Sequence, residues 1–232
     1  MFVSNKEELK KMAGIHAASY VKDGMKVGLG TGSTVKYTIL ELGRRVSEEN
    51  LKIMCVPTSI ATENLSIENN IELHELASLN GLDIVIDGAD EFNKDLTLIK
   101  GGGGALVREK IIAQASEIMI VVADESKRVE TLGEFPLPVE VIQFSWKETK
   151  RQISEITGLS ESKIIQRSQN DKPFITDNGN YILDVHLESI EEPEKLESDL
   201  NSLAGVLDCG LFCNIADKVV LATPNGLELI EK

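Results

Sequence analysis

The stretch Lys100–Lys110, KGGGGALVREK, places four consecutive glycines directly in front of a helical pattern of apolar residues. Residues without a Cβ can adopt positive φ angles and let a ligand contact the main chain. The helix is predicted from the spacing of Ala105, Leu106, Ile111, Ile112 and Ala115. Its first turn would offer free N–H groups and a dipole that favour an anion. Glu109 falls about one turn into this helix, where its carboxylate would face whatever the glycines bind. A glycine-rich turn before an ordinary helix with a solvated Glu would give the same pattern.

The composition describes an acidic globular chain of 232 residues, enough for one large or two small domains. The net charge of −14 repels nucleic acid and acidic membranes, so an anionic substrate needs local lysines and N–H groups. Three cysteines, Cys55, Cys209 and Cys213, form no disulfide framework and favour a reducing compartment. Residues 1–8 contain no apolar signal-peptide core, and no apolar run could span a bilayer. We therefore expect a cytoplasmic protein.

The first part of the chain alternates strand and helix patterns, which predicts an α/β fold with a parallel sheet. Strands are predicted at 25–29, 52–56, 71–73, 82–87 and 118–122. Helices are predicted at 5–21, 34–46, 60–69 and after the glycine run. The polar motifs follow strands, and open α/β sheets bind ligands beyond the carboxyl ends of their strands.

The pattern changes near Pro136–Pro138, where strands and helices predict a second, smaller α+β domain. Strands are expected at 139–144, 163–167, 181–187 and 206–212, and helices at 146–157 and 193–203. Asn178-Gly179 is a hairpin-turn signal before the strand at 181–187. The order β-α-β-β-α-β is that of a ferredoxin-like module. A last strand at 218–222 is expected to return to the first sheet.

The segment Gly28–Thr34, GLGTGST, joins a predicted strand to a helix and has the context of a phosphate-binding loop. It lacks the Gly-Lys-Ser/Thr of a Walker loop. It also departs from the dinucleotide-binding fingerprint, because Ser33 stands where the third glycine belongs. The second strand ends in Cys55-Val56-Pro57, where that fingerprint has an acid for a ribose hydroxyl. These features favour a small phosphorylated substrate over a dinucleotide cofactor, with a plain strand–helix turn as the alternative.

The segment Asp87–Glu91, DGADE, places three carboxylates at one strand end, where they could bind a metal, transfer protons or face water. The metal interpretation is the weaker one, because His16, His74 and His186 are scattered through the chain. Cys209 and Cys213 have no nearby ligand pair that would make a zinc site.

Lys100 and Lys127 follow other predicted strands and are candidates for neutralising negative charge. A carboxylate base, cations and N–H groups for an enediolate oxygen, a further acid and a phosphate anchor are then all present. This set suits proton abstraction next to a carbonyl group without a cofactor.

The chain resembles the type A ribose-5-phosphate isomerases over essentially its whole length. The motifs in common are GTGST (30–34), DGADE (87–91), KGGGGAL with EK (100–110), ADESK (123–127), PLPVEV (136–141) and TDNGN (176–180). The resemblance implies metal-free interconversion of ribose 5-phosphate and ribulose 5-phosphate in the pentose phosphate pathway. It also implies a Rossmann-like domain, at 1–134 plus 208–232, with a smaller ferredoxin-like domain at 135–207, and a homodimer or alternatively a tetramer.

The resemblance also implies residue roles. Glu109 would be the base that moves the proton between C1 and C2 through a cis-enediol, and Asp87 would assist opening of the furanose ring. Asp90 and Lys100 would hold substrate hydroxyls and the developing oxyanion. The remaining substrate-binding set comprises Thr31, Gly32, Ser33, Thr34, Lys10, Lys127 and the backbone of Gly101, Gly102, Gly103 and Gly104.

Two other functions fit parts of the sequence. A sugar-phosphate-binding effector domain of a repressor would use the same loops, although no basic helix-turn-helix segment accompanies them. A nicotinamide-dependent oxidoreductase would use the glycine-rich loop after the first strand. The missing ribose-binding acid and the presence of Ser33 argue against this function. Only the isomerase uses Glu109, both aspartates and the phosphate loop together.

Overall fold

The structure is a computed structural model that describes residues 5–232. Residues 1–4, part of the stretch for which we predict no signal peptide, lie outside the described residues. The helices within 5–232 are α1 (Lys6–Ala18), α2 (Val35–Glu49), α3 (Ile60–Glu68), α4 (Leu76–Leu79), α5 (Leu106–Gln114), α6 (Trp146–Thr157) and α7 (Pro193–Asn201). Among these helices, none combines the length and the apolar composition needed to cross a membrane.

The described strands are also numbered in chain order. They are β1 (Lys26–Leu29), β2 (Met54–Pro57), β3 (Ile84–Gly88), β4 (Glu91–Phe92), β5 (Leu98–Ile99), β6 (Met119–Asp124), β7 (Leu137–Val141), β8 (Ile164–Gln166), β9 (Ser168–Gln169), β10 (Lys172–Pro173), β11 (Tyr181–Val185), β12 (Val206–Cys209), β13 (Leu211–Phe212), β14 (Lys218–Thr223) and β15 (Gly226–Glu231).

One compact unit contains the described residues up to Ala89 together with Arg108–Arg128 and Ile215–Lys232. Its six-stranded sheet has the order β15-β14-β6-β3-β1-β2. All neighbours in it are parallel except β14 and β15. β6 is buried along its whole length and β3 up to its last residue, as expected when helices cover both faces. The parallel α/β prediction is confirmed, and β14 returns to this sheet as predicted.

Two details of this sheet differ from the predictions. The segment 71–73 is not a strand, because Leu73 makes only an isolated bridge to Cys55 before the chain turns into α4. β15 was not predicted and pairs with β14 through a tight hairpin. It lies at the edge of the sheet, and all its residues are exposed or only partly buried.

The other compact unit contains Asp90–Val107 and Val129–Asn214. Its four-stranded sheet has the order β12-β7-β11-β8, and every neighbouring pair is antiparallel. Along the chain these strands alternate with α6 and α7 in the order β7-α6-β8-β11-α7-β12. The prediction of a smaller ferredoxin-like α+β module is confirmed. The boundaries 134/135 and 207/208 stay a prediction.

Two local predictions in this unit were wrong. The strand expected at 206–212 is interrupted at Gly210, and its second piece, β13, pairs with β5 in a separate sheet with the order β13-β5-β4. Asn178-Gly179 forms a turn, but not one between two paired strands. The turn closes on itself, because the Gly179 N–H donates to the Thr176 carbonyl (2.9 Å) and the Thr176 N–H donates to the Asn180 carbonyl (2.9 Å).

Candidate functional site

Asp87 lies at the carboxyl end of β3 and is fully buried. Its Oδ1 accepts hydrogen bonds from the N–H of Gly88 (2.7 Å) and from the N–H of Thr31 (3.1 Å). Thr31 follows the neighbouring strand β1, since the Gly30 N–H still donates to the Ile86 carbonyl (2.9 Å). The structure thus brings together the phosphate-loop motif and the first acid of the DGADE motif, as expected for adjacent parallel strands.

Gly30 is required for this close approach, since a Cβ there would lie 2.2 Å from Asp87 Oδ1 and 2.5 Å from Asp87 Cα. We expect Gly30→Ala to lower the free energy of unfolding by about 1–3 kcal/mol, because a backbone atom cannot rotate away. Urea unfolding would measure the loss. Gly88→Ala is the matched control, since its nearest neighbours would be 3.7–3.9 Å away. Equal stability of both variants would contradict the close contact.

A cluster of four hydroxyl groups, which sequence reasoning missed, holds Thr31 in place. Thr31 Oγ1 lies 2.7 Å from Thr58 Oγ1, 2.8 Å from Ser59 Oγ and 3.1 Å from Thr62 Oγ1. Thr62 Oγ1 also donates to the Gly30 carbonyl (2.8 Å). Ser59 also caps α3 by accepting from the Thr62 N–H (3.0 Å). The Thr31 hydroxyl therefore contacts this cluster, while Gly32 and Ser33 are exposed.

The phosphate loop continues through Thr34 into α2, whose N-terminal turn packs against α1. Thr38 Oγ1 donates to the Gly14 carbonyl (3.0 Å), which joins the two helices. Lys10 lies one turn before Gly14, on the same side of α1 by i, i+4 spacing. The first turn of α2 and Lys10 are therefore close in space, although far apart in the sequence.

Glu7 links Lys10 to α2. Its carboxylate accepts from Lys10 Nζ (2.7 Å) and from the Tyr37 hydroxyl (2.8 Å). These two donors hold the pKa of the Glu7 carboxyl below its usual value, Lys10 having the larger effect. The same contact raises the pKa of the Tyr37 hydroxyl. Glu7 is exposed, so Lys10 remains at the protein surface in a defined position.

Lys127 belongs to a short 3₁₀ turn, Glu125–Lys127, directly after β6 and is partly buried. Asp124 caps this turn through its Oδ1, which accepts from the N–H and the hydroxyl of Ser126. Lys6 Nζ, in the first turn of α1, donates to Ser126 Oγ (3.2 Å). The N-terminal half of α1 therefore contacts both the turn that carries Lys127 and the start of α2.

Glu109 lies in the first turn of α5 and is only 4% exposed. Ile112, three residues later on the same side of the helix, packs against Gly28 of β1. Glu109 is therefore on the sheet-facing side of α5, one turn closer to the carboxyl ends of the strands. Ala105, Glu109 and Ile112 follow one another by four and three residues and are all buried, so they share this side of the helix. Ile111, predicted to belong to the apolar face, is instead 50% exposed, since it follows Glu109 by about 200° around the helix.

The second compact unit contains Asp90, Lys100 and the glycine loop, which we define as residues 101–104. Asp90 Oδ2 accepts from the Gly102 N–H (2.7 Å), so this acid and the loop are brought together. Lys100 is 2% exposed, and its Nζ lies 5.5 Å from the centroid of the Phe212 ring. A buried ammonium group is costly to desolvate. Lys100 therefore has a fixed, water-shielded position next to the glycine loop.

The glycine loop is held by three residues that the sequence analysis did not single out. Arg167 Nη1 donates to the carbonyls of Gly101 (2.8 Å) and Gly102 (3.2 Å), and Asp184 forms a bidentate ion pair with the same guanidinium. Phe174 lies against Gly104, whose φ of +81° and lack of a Cβ both accommodate the ring. The signal that the sequence offered was a charged residue, Asp184, in the middle of the strand predicted at 181–187.

No group of three or more His, Cys, Asp or Glu side chains that could hold a metal ion occurs within residues 5–232. Asp87 and Glu91 of the DGADE motif have different surroundings. Glu91 is buried and accepts from the N–H groups of Gly133 (2.7 Å) and Phe135. It therefore stabilises a backbone turn within its own unit.

Comparison with known proteins gives this site its context. The family model described as ribose 5-phosphate isomerase A (phosphoriboisomerase A) matches residues 54–226. Ribose-5-phosphate isomerase A of Bacillus mycoides (strain KBAB4) is 49% identical over 221 residues, which are 95% of this chain and 98% of that protein. Ribose-5-phosphate isomerase A 1 of Oceanobacillus iheyensis is 45% identical over 225 residues, which are 97% of this chain and 99% of that protein.

Solved structures agree with this result. Ribose 5-phosphate isomerase A from Methanocaldococcus jannaschii superposes with a TM-score of 0.92 at 40% identity, covering 98% of this chain and all of that one. A D-ribose-5-phosphate isomerase in complex with phospho-erythronic acid gives a TM-score of 0.93 at 39% identity, again over 98% and 100% of the two chains.

Fold and comparisons thus define an α/β enzyme of the isomerase class, in which Thr31, Asp87 and Lys127 lie at the carboxyl ends of the parallel strands β1, β3 and β6. Within that class, the chain belongs to the ribose 5-phosphate isomerase A family.

Proposed function

We propose that this chain interconverts D-ribose 5-phosphate and D-ribulose 5-phosphate through a cis-enediol(ate), with Glu109 as the base. Glu109 removes the proton from C2 of the open-chain aldose and returns it to C1, and the reverse reaction uses the same path. This transfer needs no redox cofactor, because the proton lost at one carbon is regained at its neighbour.

The observation that carries the proposal is the burial of Glu109, 4% exposed, in the first turn of the helix that follows the glycine loop. Acidic side chains are seldom buried to this extent. A carboxylate in such surroundings can act as a general base that is shielded from water. A surface position would have argued against this role.

We assign the other groups of the same unit to ring opening and phosphate binding. Asp87, fully buried and oriented by the N–H groups of Thr31 and Gly88, is placed to exchange a proton with the ring oxygen and the O1 hydroxyl. Gly32, Ser33 and Thr34 supply hydroxyl and N–H groups at the start of α2, where the helix dipole favours a phosphate. Lys10 and Lys127 supply the positive charge.

We assign Asp90, Lys100 and the glycine loop to the substrate hydroxyls and to the oxyanion of the enediolate. The N–H groups of the loop and the buried Lys100 ammonium are donors that suit a developing negative charge. The relative solved with phospho-erythronic acid bound a phosphorylated sugar acid. Its carboxylate is an anion next to a hydroxyl-bearing carbon, the same charge pattern as an enediolate.

We also propose the cellular context that the family resemblance implies. The reaction belongs to the non-oxidative branch of the pentose phosphate pathway, in the cytoplasm, with a homodimer as the working assembly and a tetramer as the alternative. Neither nucleic acid nor membrane is proposed as a partner, in keeping with the net charge of −14.

The proposed reaction is tested by incubating EDTA-treated protein with ribose 5-phosphate and following the formation of ketopentose phosphate. Rapid formation of ketose without added metal is expected. Binding of the sugar phosphate without turnover would instead favour the sensor function. Activity that returns only with a divalent ion would contradict the metal-free mechanism.

Substitution of Lys10 tests the phosphate site. We expect Lys10→Met to raise KM for ribose 5-phosphate about tenfold or more, with a smaller change in kcat, since a charge-assisted hydrogen bond to the non-reacting phosphate is lost. Steady-state kinetics give both constants. Lys11→Met, at the exposed neighbouring position, is the matched control. Equal KM values for the two variants would remove Lys10 from the phosphate site.

A further inference from the structure

Arg167 holds the glycine loop from the side of the four-stranded antiparallel sheet. Its guanidinium uses Nε and Nη2 for Asp184, at 3.0 Å to Oδ2 and 2.6 Å to Oδ1, which is a bidentate pair. Nη1 remains for the loop and donates to the carbonyls of Gly101 (2.8 Å) and Gly102 (3.2 Å). Four of the five guanidinium N–H groups are thus engaged.

Residues around Arg167 fix it in this place. Its own N–H donates to the Ile182 carbonyl (2.8 Å), and its carbonyl accepts from the Phe174 N–H (2.9 Å). The Phe174 ring centroid lies 5.9 Å from the guanidinium carbon. The Arg167 and Asp184 side chains are only 15% and 20% exposed, so water screens the pair weakly. These contacts hold the Arg167–Asp184 pair more firmly than an isolated ion pair on the surface would be held.

The contacts to the two carbonyls determine where the following N–H groups point. In a planar trans peptide, the C=O of one residue and the N–H of the next point in opposite directions. Carbonyls of Gly101 and Gly102 that face Arg167 therefore direct the N–H groups of Gly102 and Gly103 away from it. The Gly102 N–H follows this rule, since it donates to Asp90 Oδ2 at 2.7 Å.

We propose that Arg167 is a positioning residue for the isomerase reaction, which fixes and polarises the Gly103 N–H as a donor to the substrate oxyanion and the Gly102 N–H as the donor that holds Asp90. A cation on a carbonyl oxygen strengthens the N–H of the same peptide as a donor, because hydrogen bonds in a chain polarise one another. Gly103 is exposed, as a donor to a ligand must be. The inference rests on the proposed role of the glycine loop.

A positioning role predicts a loss in kcat more than in KM, since the Gly103 N–H acts on charge that develops in the transition state. We expect Arg167→Met to lower kcat for ribose 5-phosphate about 100-fold, the usual effect of losing a preorganised oxyanion donor. Arg167→Lys keeps a charge but cannot form the fork with Asp184 and two carbonyls, so it should recover only a small part. Arg151→Met is the matched control, since Arg151 forms a comparable pair with Glu148 on the exposed face of α6.

Chemical rescue separates this role from a purely structural one. In Arg167→Ala, guanidinium ion at non-denaturing concentration should restore a measurable part of kcat, with no effect on the wild-type rate. Wild-type kcat in Arg167→Met would overturn the proposal. So would a loss of activity that only follows a lower melting temperature and resists rescue. A wild-type protein without turnover would instead refute the proposed function, and the positioning role with it.

Discussion

Glu109→Gln is expected to lower kcat for ribose 5-phosphate about 1,000-fold, with the sugar phosphate still bound at a similar Kd. The amide matches the carboxylate in shape and can occupy the same buried position, but it cannot accept the carbon-bound proton at neutral pH. Removal of a general base costs a factor of 10² to 10⁴ in typical enzymes. Stopped-flow or coupled assays would give kcat, and isothermal titration calorimetry would give Kd.

Two further variants make this result specific. Glu109→Asp keeps the carboxylate but withdraws it by one methylene, a displacement that typically costs about 100-fold. Glu117→Gln changes an exposed glutamate shortly after the same helix and should leave the rate unchanged. A Glu109→Gln protein with most of the wild-type rate would show that another group is the base.

Asp87→Asn should lower the turnover of ribose 5-phosphate about 100-fold. Asparagine keeps an acceptor oxygen for the N–H groups of Thr31 and Gly88, so the local structure should survive. What is lost is the group proposed to exchange protons during ring opening. Ribulose 5-phosphate has no furanose form, because its O5 is esterified, and abstraction of its C1 proton needs no ring opening.

This difference separates the two acids. In D₂O, Asp87→Asn should still exchange a C1 proton of ribulose 5-phosphate for deuterium, whereas Glu109→Gln should not. NMR of the ketose at intervals would follow both variants. If Asp87→Asn lost exchange as completely as Glu109→Gln, Asp87 would belong to the proton transfer itself.

The sequence predicted the order of the main elements because buried helices and strands each need a characteristic spacing of apolar residues along the chain. β3 and β6 are apolar runs covered on both faces, and α5 follows the glycine run with Glu109 and Ile112 on its buried side. Glycine runs and charged residues at strand ends are local signals, so the loops of the candidate site were found as well.

What the sequence did not predict depends on contacts between distant residues. Arg167 and Asp184 meet because β8 and β11 are antiparallel neighbours. The sequence around either residue does not indicate the other as its partner. Thr62 of α3 and Thr31 of the loop after β1 are likewise distant in the sequence, and their hydroxyl groups meet only in the folded chain. Short strands such as β4 and β5 have two residues each, too few to show a period.

The most direct test of proton transfer by Glu109 is the appearance of deuterium in the substrate carbons in D₂O, with EDTA-treated wild-type protein and ribose 5-phosphate. An enediol mechanism predicts that deuterium appears at C1 of the ketose and at C2 of the aldose. This incorporation should be slower than turnover, since a buried base exchanges its proton slowly with solvent. Glu109→Gln should show none over the same time. Complete equilibration of the two sugars with no deuterium in either carbon, however long the incubation, would mean a hydride shift and would contradict the mechanism.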